Sequence, residues 1–140
     1  NPEEFTYDRP FLWASRCTGP DLNRVGGKYP DSWHYRHMQS PQGMFEKSNM
    51  PPYGWLASNR LDTGNSFKKI SVLGYGYSAE DVRQQISDYK AKVTGPGYDS
   101  KETRDQVTPA NLRGELTEMD AMIAYLQKLG RDVKNLEAAP

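Results

Sequence analysis

Apolar residues recur at steps of three and four near the end of the chain, which is the period of an amphipathic helix. Thr117-Glu118-Met119-Asp120 has the form of a capping box at the start of this segment, and Gly130 is a typical C-terminal cap. The pattern therefore predicts a helix that begins after Thr117, buries one face and ends at Gly130. The residues of the apolar face are Met119, Met122, Ile123, Leu126 and Leu129.

A second amphipathic pattern lies in the middle of the chain. Ser78-Ala79-Glu80-Asp81 resembles a capping box, and Gly95-Pro96-Gly97 is a helix stop. The polar residues 98–107 lack a period and predict an exposed loop with solvated charges. Thr108-Pro109 then predicts a short helix that Gly114 ends, because proline suits the first helical position. The apolar face of the middle helix would consist of Val82, Ile86, Tyr89 and Val93.

Nearer the N-terminus, Asp31 or Ser32 can cap a short helix through about Gln39, and Pro41 stops it. Residues 61–65 then predict a turn, and residues 66–73 a short helical turn. No internal repeat and no convincing pair of strands is present, so the sequence predicts an all-α fold rich in loops. Residues four apart define two faces of the first helix: Trp33 with His37, and His34 with Met38.

Composition limits the size of the core and the kinds of partner. The hydrophobic fraction of 36% is low for a globular domain, and ten prolines with twelve glycines indicate many loops. So thin an apolar core often needs a cofactor, disulfides or a partner to stay folded. Eighteen basic residues balance eighteen acidic ones, which gives no reason to expect a nucleic acid or an anionic membrane as partner. No apolar run has the length of a membrane helix, so the chain as given is expected to be soluble.

Met50 lies between Asn49 and the pair Pro51-Pro52, in a segment that cannot be helical. Each proline fixes its own φ angle and keeps the preceding residue out of the helical region, so the backbone holds the methionine in an extended bracket. A thioether presented in this way suits a soft, weakly held sixth ligand of a haem iron. The alternative is a core methionine, the commoner role of this residue, although Asn-Met-Pro-Pro-Tyr is a poor sequence for a core helix.

The order of segments resembles a class I cytochrome c read from just after its haem-attachment motif. That order is Thr-Gly-Pro-x-Leu, a short helix, Asn-Met-Pro and a terminal helix ending Ile-Ala-Tyr-Leu-Gln-Lys-Leu-Gly. Three stretches look like the FixO/CcoO family, the mono-haem cytochrome c subunits of cbb-type haem–copper oxidases. These stretches are Tyr7-Asp8-Arg9-Pro10-Phe11-Leu12-Trp13, Arg24-Val25-Gly26-Gly27-Lys28-Tyr29, and Ser48-Asn49-Met50-Pro51-Pro52-Tyr53 with Trp55-Leu56.

The resemblance covers residues 4–74 and 115–130, whereas residues 75–114 look like an insertion. It implies a single class I cytochrome c-like domain over residues 1–130, with an inserted helical segment before the terminal helix. A polar tail over residues 131–140 would follow.

The resemblance also implies roles for individual residues. Met50 would be the distal axial ligand of the haem iron, and its thioether would raise the reduction potential relative to a second imidazole. The Pro20 carbonyl would accept a hydrogen bond from the free ring nitrogen of the proximal histidine, and Leu22 would pack on the porphyrin edge. Four further candidates for propionate contacts or pocket walls, with ordinary packing as the alternative, are Arg24, Trp33, Tyr53 and Trp55.

The chain departs from the family at the haem-attachment site. The family carries Cys-x-x-Cys-His, whereas Cys17 is the one cysteine here and does not lie in that motif. Haem c therefore cannot be attached covalently to the chain as given, and the expected proximal ligand is absent. Three explanations stay open: a fragment of a longer cytochrome, a domain completed by another polypeptide, or a haem-free relative. Cys17 is expected to be an unreactive thiol. His34 and His37 lack a third metal ligand at a regular spacing, so structural or surface roles are favoured for them.

The function implied by the resemblance is outer-sphere electron transfer within a membrane-bound oxidase. An electron would come from a cytochrome c donor, as a subunit or a soluble protein, and pass to the haem–copper catalytic subunit, with no catalysis on this chain. The family places the domain on the periplasmic side of the bacterial inner membrane. The competing hypothesis is a haem-free structural or assembly module with the same fold. An enzyme acting alone is disfavoured, because no nucleophile–base pair, phosphate loop or metal-ligand spacing is present.

Overall fold

The computed structural model describes residue 22 and the ranges 25–65 and 78–131. Within these ranges β-structure is confined to one isolated antiparallel bridge between Arg60 and Thr117, so the predicted all-α fold is confirmed. The turn predicted for residues 66–73 and most of the predicted polar tail lie outside the described residues. The helices are α1 (Asp31–Gln39), α2 (Pro41–Met44), α3 (Ala79–Thr94), α4 (Lys101–Val107) and α5 (Glu118–Lys128), with 3-10 helices at Gly54–Ala57 and Ala110–Leu112.

The chain divides into two compact units, residues 29–125 and residues 1–28 together with 126–140. In the larger unit, side chains from α1, from the 3-10 helix at 54–57 and from α5 form one buried cluster. The cluster is small, in agreement with the low hydrophobic fraction of the sequence. It consists of Tyr35, Leu56, Ala57, Met119 and Ile123, against which Met38, Tyr53 and Val107 pack.

Helix α5 begins with the predicted capping box. The Asp120 N–H donates to Thr117 Oγ1 at 3.3 Å, and the Thr117 N–H donates to the Asp120 carboxylate at 2.8 Å. Each residue therefore satisfies a backbone donor that the first turn of a helix leaves free. Met119 and Ile123 are fully buried, whereas Met122 is 38% exposed. The buried face is thus narrower than the sequence predicts.

Helix α3 also has the predicted bounds. Ser78 Oγ accepts a hydrogen bond from the Asp81 N–H at 3.0 Å, and the helix ends at Thr94, before the predicted glycine–proline stop. Val93, on the predicted apolar face, is fully buried. Tyr89, on the same face, donates from its hydroxyl to the Asp120 carbonyl at 3.1 Å. The predicted face therefore makes a hydrogen bond to α5.

A buried ion pair joins α4 to α5. Arg104 Nε lies 3.1 Å from Asp120 Oδ1, and the two side chains are 3% and 0% exposed. The same carboxylate accepts hydrogen bonds from Tyr35 OH and from the N–H and hydroxyl of Thr117. Arg104 Nη2 also donates to the Glu115 carbonyl. Because buried charges persist only when paired and hydrogen-bonded, this cluster fixes α1, α4 and α5 to one another.

Both members of the pair are charged at neutral pH. Burial raises the pKa of the Asp120 carboxyl to about 6, while a hydrogen bond from the Thr117 backbone N–H acts in the opposite direction. Burial lowers the pKa of Arg104, an effect that Asp105 opposes. An arginine starts from so high a pKa that it keeps its proton here. The contact is therefore ionic under physiological conditions.

The exposed loop predicted for residues 98–107 is wrong. Lys101–Val107 form α4, in which Thr103 and Arg104 are buried, and Ser100 immediately before it is fully buried. A buried ion pair and one apolar side chain, Val107, attach the segment to the core, so it shows no apolar period. Pro109 is predicted as the first helical residue, but it is the N-cap residue of the 3-10 helix that follows.

Helix α1 begins without the predicted cap. Its N-cap residue is Pro30, which makes no capping hydrogen bond with its side chain. Asp31 lies in the first turn instead, where a carboxylate is favoured by the helix dipole, and it accepts a hydrogen bond from Tyr98 OH at 2.8 Å. Helix α1 ends at Gln39, as predicted. Pro41 is also the first residue of α2.

In the smaller unit, Gly26 lies directly against the C-terminal end of α5 and the residue that follows it. Its N–H donates to the Leu129 carbonyl at 3.0 Å, and the Gly27 N–H donates to the Gln127 side chain at 2.9 Å. A Cβ at Gly26 would stand 2.5 Å from the carbonyl oxygens of both Gln127 and Leu129. Only glycine permits so close an approach of two backbones. The contact explains why a glycine occupies position 26.

Gly26→Ala should lower the free energy of unfolding by about 1 to 3 kcal/mol, because the added methyl group pushes the backbone away from two carbonyl oxygens. Gly64→Ala is the matched control, since a Cβ there meets the Asp62 carboxylate at an ordinary 3.5 Å. Denaturant unfolding followed by far-ultraviolet circular dichroism measures both variants. Equal stability of the two would contradict the close approach at Gly26.

Asp120→Asn should lower the free energy of unfolding by about 3 to 5 kcal/mol, because it leaves the Arg104 guanidinium buried without its counter-charge. Asp88→Asn on α3 is the control: its carboxylate accepts from Gln84 on the exposed side of a helix, and about 0.5 kcal/mol or less is expected. The same denaturant measurement applies. A loss of less than about 1 kcal/mol for Asp120→Asn would show that Arg104 finds another partner or reaches water.

Candidate functional site

Four aromatic side chains form a row along α1 and α2, which we call the ring row. Tyr29 stacks on Trp33 with a centroid distance of 4.1 Å, and Trp33 stacks on His37 at 4.5 Å. Phe45, directly after α2, meets the edge of His37 at 6.2 Å. Trp33 and His37 are one of the two predicted pairs on α1, and their shared face is confirmed. The row runs from the start of α1 to the segment that carries Met50.

The two histidines of α1 are packed among these rings. His34 is 3% exposed and meets Trp33 edge-on at 5.3 Å. Its Nε2 has no hydrogen-bond partner in the part of the chain that the structure describes. Burial lowers the pKa of His34, with Asp31 acting in the opposite direction, and burial also lowers the pKa of His37. Both imidazoles are therefore mainly neutral at pH 7.

Residues 45–53, the Met50 loop, are non-helical and are closed by hydrogen bonds on both sides of Met50. The Ser48 N–H donates to the Phe45 carbonyl at 2.8 Å, and the Met50 N–H donates to Ser48 Oγ at 3.2 Å. From α2, Gln42 Nε2 donates to the carbonyls of Met50 at 3.1 Å and Ser48 at 3.4 Å. Both backbone polar groups of Met50 are thus engaged, and the residue is half-buried.

The far end of the Met50 loop is attached to the core. The Tyr53 N–H donates to the Met38 carbonyl at the end of α1 at 2.7 Å, and the Tyr53 side chain packs against the buried cluster. Trp55 follows in the 3-10 helix and is 55% exposed. Tyr53 therefore anchors the loop, whereas Trp55 leaves most of a large indole at the surface.

The remaining predicted site residues fall outside this arrangement. Leu22 belongs to the smaller unit and is 55% exposed. Pro20, Arg24 and Cys17 lie outside the described residues. The larger unit contains Trp33 in the ring row, and Met50, Tyr53 and Trp55 in one short segment.

Comparison with protein families matches residues 1–133 to the family described as "Cytochrome C oxidase, mono-heme subunit/FixO". The match covers nearly all of the 140 residues. The chain belongs to this family. A search of curated proteins finds no match. As a FixO-family protein it is a subunit of an oxidase complex, and in the described ranges it has no helix long and apolar enough to cross a membrane.

A mono-haem subunit is expected to hold haem, and the described residues include one donor of the type that haem iron accepts. Met50 offers a soft sulfur donor of the kind that haem iron accepts, in a loop whose backbone is fixed by prolines and hydrogen bonds. The sequence has one cysteine, so Cys-x-x-Cys-His is not among these residues. In the described ranges, no three His, Cys, Asp or Glu side chains are grouped to bind a metal ion. The described residues therefore offer Met50 as a candidate donor to the iron.

Sequence reasoning missed the residues that close the Met50 loop. Gln42 gives no signal, because an exposed glutamine in a four-residue helix belongs to no pattern. Ser48 did carry one, since a serine often accepts the backbone N–H two residues ahead of it. The Ser-Asn-Met sequence has that spacing.

Acid should destabilise the fold through His34 and His37. In the unfolded chain each imidazole binds a proton near its ordinary pKa of about 6.5, whereas burial lowers that pKa in the folded protein. Between the two values the unfolded state holds more protons, so the contribution of the two histidines to the free energy of unfolding should fall as the pH drops below about 6.5. Denaturant unfolding at about pH 7.5 and about pH 5.5 measures the change.

His34→Phe is the variant that assigns this slope, because it keeps a ring beside Trp33 and removes one titrating group. Its stability should fall less steeply with acid than that of the wild type. Asp120, whose pKa is raised to about 6, contributes a slope of opposite sign in both proteins. The difference between the two proteins therefore reports His34, and identical slopes would mean that His34 titrates normally in the fold.

Proposed function

We propose that this chain is the electron-transfer domain of the mono-haem subunit of a cbb-type oxidase, with Met50 as an axial ligand of the haem iron. The observation that carries the proposal is the constrained Met50 loop in a chain of the FixO family. A bound haem iron would supply one-electron oxidation and reduction. Thioether ligation favours the reduced iron and so raises the reduction potential.

The residues of this chain hold the ligand and set its surroundings. The Met50 backbone is fixed by Ser48 and Gln42, and Tyr53 ties the loop to the end of α1. Tyr35 in turn ties α1 to Asp120 of α5. The position of the thioether therefore depends on the core as well as on the loop.

The other haem contacts are proposed from the family resemblance. The Pro20 carbonyl would orient the proximal histidine, and Leu22 would cover the porphyrin edge. Arg24, Trp33, Tyr53 and Trp55 would contact the propionates or form the walls. The histidine and its attachment motif would come from residues other than these 140, either elsewhere in the same polypeptide or in a partner.

The proposed partners are a cytochrome c donor and the haem–copper catalytic subunit that reduces oxygen. The domain would lie on the periplasmic side of the inner membrane and would carry no catalytic step itself. Family membership supports the place in an oxidase complex. Residues 75–114, the proposed insertion, contain α3 and α4 and contribute Arg104 to the core.

A second candidate is a haem-free structural or assembly module of the same complex. The single cysteine favours it, because covalent attachment of haem c needs two cysteines and a histidine. The buried ion pair favours it as well, since the larger unit has a core of its own.

Met50→Leu in the haem-loaded subunit should abolish the sulfur-to-ferric-iron charge-transfer band and lower the midpoint potential, because leucine keeps the apolar volume and removes the donor. Visible absorption spectroscopy and a redox titration measure the two effects. Met122→Leu on α5 is the matched control, since the same replacement at a 38% exposed residue should change neither.

Two results would count against these assignments. A Met50→Leu subunit that keeps both the band and the potential would show that Met50 is not a ligand. A wild-type subunit that lacks haem absorbance after it is separated from its own purified oxidase complex would contradict electron transfer and favour the haem-free module.

A further inference from the structure

Gln42 is the side chain that closes the Met50 loop from outside it. Its Nε2 reaches the Met50 carbonyl at 3.1 Å and the Ser48 carbonyl at the longer distance of 3.4 Å. Both acceptors are carbonyl oxygens, so the amide nitrogen must face them. One side chain thereby joins two residues on the N-terminal side of the Pro51-Pro52 pair.

The base from which Gln42 reaches is itself fixed. Pro41 is buried and occupies the first position of α2, and Ser40 Oγ accepts the Gly43 N–H at 3.3 Å. The Phe45 N–H closes the helix on the Pro41 carbonyl at 2.9 Å. A four-residue helix is marginal alone, but here a cap, a proline and burial hold it in place.

We propose that Gln42 is a positioning residue for the Met50 thioether, which keeps the loop in its ligand-presenting conformation against displacement by other ligands of the iron. This inference rests on the proposed function, in which Met50 binds the haem iron. Gln42 acts through the backbone of Met50 and does not touch the iron itself.

The physical basis is a competition between two conformations of the loop. An external ligand such as imidazole binds the iron only after the thioether has left, and its apparent affinity is reduced by the stability of the closed loop. The Gln42 hydrogen bonds belong to the closed loop. Removing a hydrogen bond of ordinary strength should therefore tighten imidazole binding roughly two- to tenfold.

Gln42→Glu and Gln42→Ala in the haem-loaded ferric subunit test this inference by titration with imidazole. The first variant keeps the size of the side chain but replaces the N–H donor by an oxygen that repels both carbonyls; the second removes the group. Both should bind imidazole roughly two- to tenfold more tightly than the wild type. Gln85→Glu, the same replacement at an exposed position of α3, should leave the affinity unchanged.

The decisive comparison repeats Gln42→Glu in the Met50→Leu background. With the thioether already gone, loss of Gln42 should no longer change imidazole affinity, whereas a general loosening of the fold would act in both backgrounds. Unchanged affinity in both Gln42 single variants, or an equal effect in both backgrounds, would overturn the role of Gln42. If Met50→Leu alone leaves the charge-transfer band and imidazole affinity unchanged, the ligand assignment fails first and the role of Gln42 fails with it.

Discussion

The Asp120 carboxylate is the group on which the larger unit most depends. It sits in the first turn of α5, where it completes a capping box with Thr117, and it also receives Arg104 from α4 and Tyr35 from α1. Few apolar side chains are fully buried in the described ranges, so a charged hydrogen-bonded centre takes over part of the organising role of a larger core. The hydrogen bonds of such a centre are directional. Each partner must occupy one position, which fixes how α1 and α4 pack against α5.

The Met50 loop shows a second way of fixing a segment without a core of its own. Prolines restrict its φ angles, Ser48 accepts the Met50 N–H, and Gln42 from the neighbouring helix donates to the Met50 carbonyl. This arrangement fixes the backbone of Met50 and leaves the residue half-buried. The ring row on α1 and α2 ends at Phe45, where the loop begins, so the two features share one scaffold.

The insertion proposed for residues 75–114 is attached to the core of the larger unit. Its helices α3 and α4 contribute Tyr89 and Arg104, which both bind Asp120. A segment outside the resemblance to short cytochromes is thus joined to α5, a helix that the resemblance covers. Among the charged residues of this segment, Arg104 is buried as an ion-pair partner.

Local sequence was sufficient wherever the physical cause was itself local. The apolar period and capping box predicted α5, Ser78 and Asp81 predicted the start of α3, and the prolines around Met50 predicted a loop. Short motifs in the sequence indicated the FixO family, and the match over residues 1–133 confirmed it. The roles of individual haem contacts stay predictions, because they depend on a cofactor and on residues beyond the described ranges.

Tertiary structure alone decided that α4 is a buried helix and that Gln42 holds the Met50 loop. Arg104 looks like any solvated charge until Asp120, sixteen residues later, is placed beside it. Gln42 looks like any exposed glutamine until the chain turns back and brings two carbonyls within its reach. In both cases a polar contact joins residues of two different segments of the chain, and such contacts leave no period in the sequence.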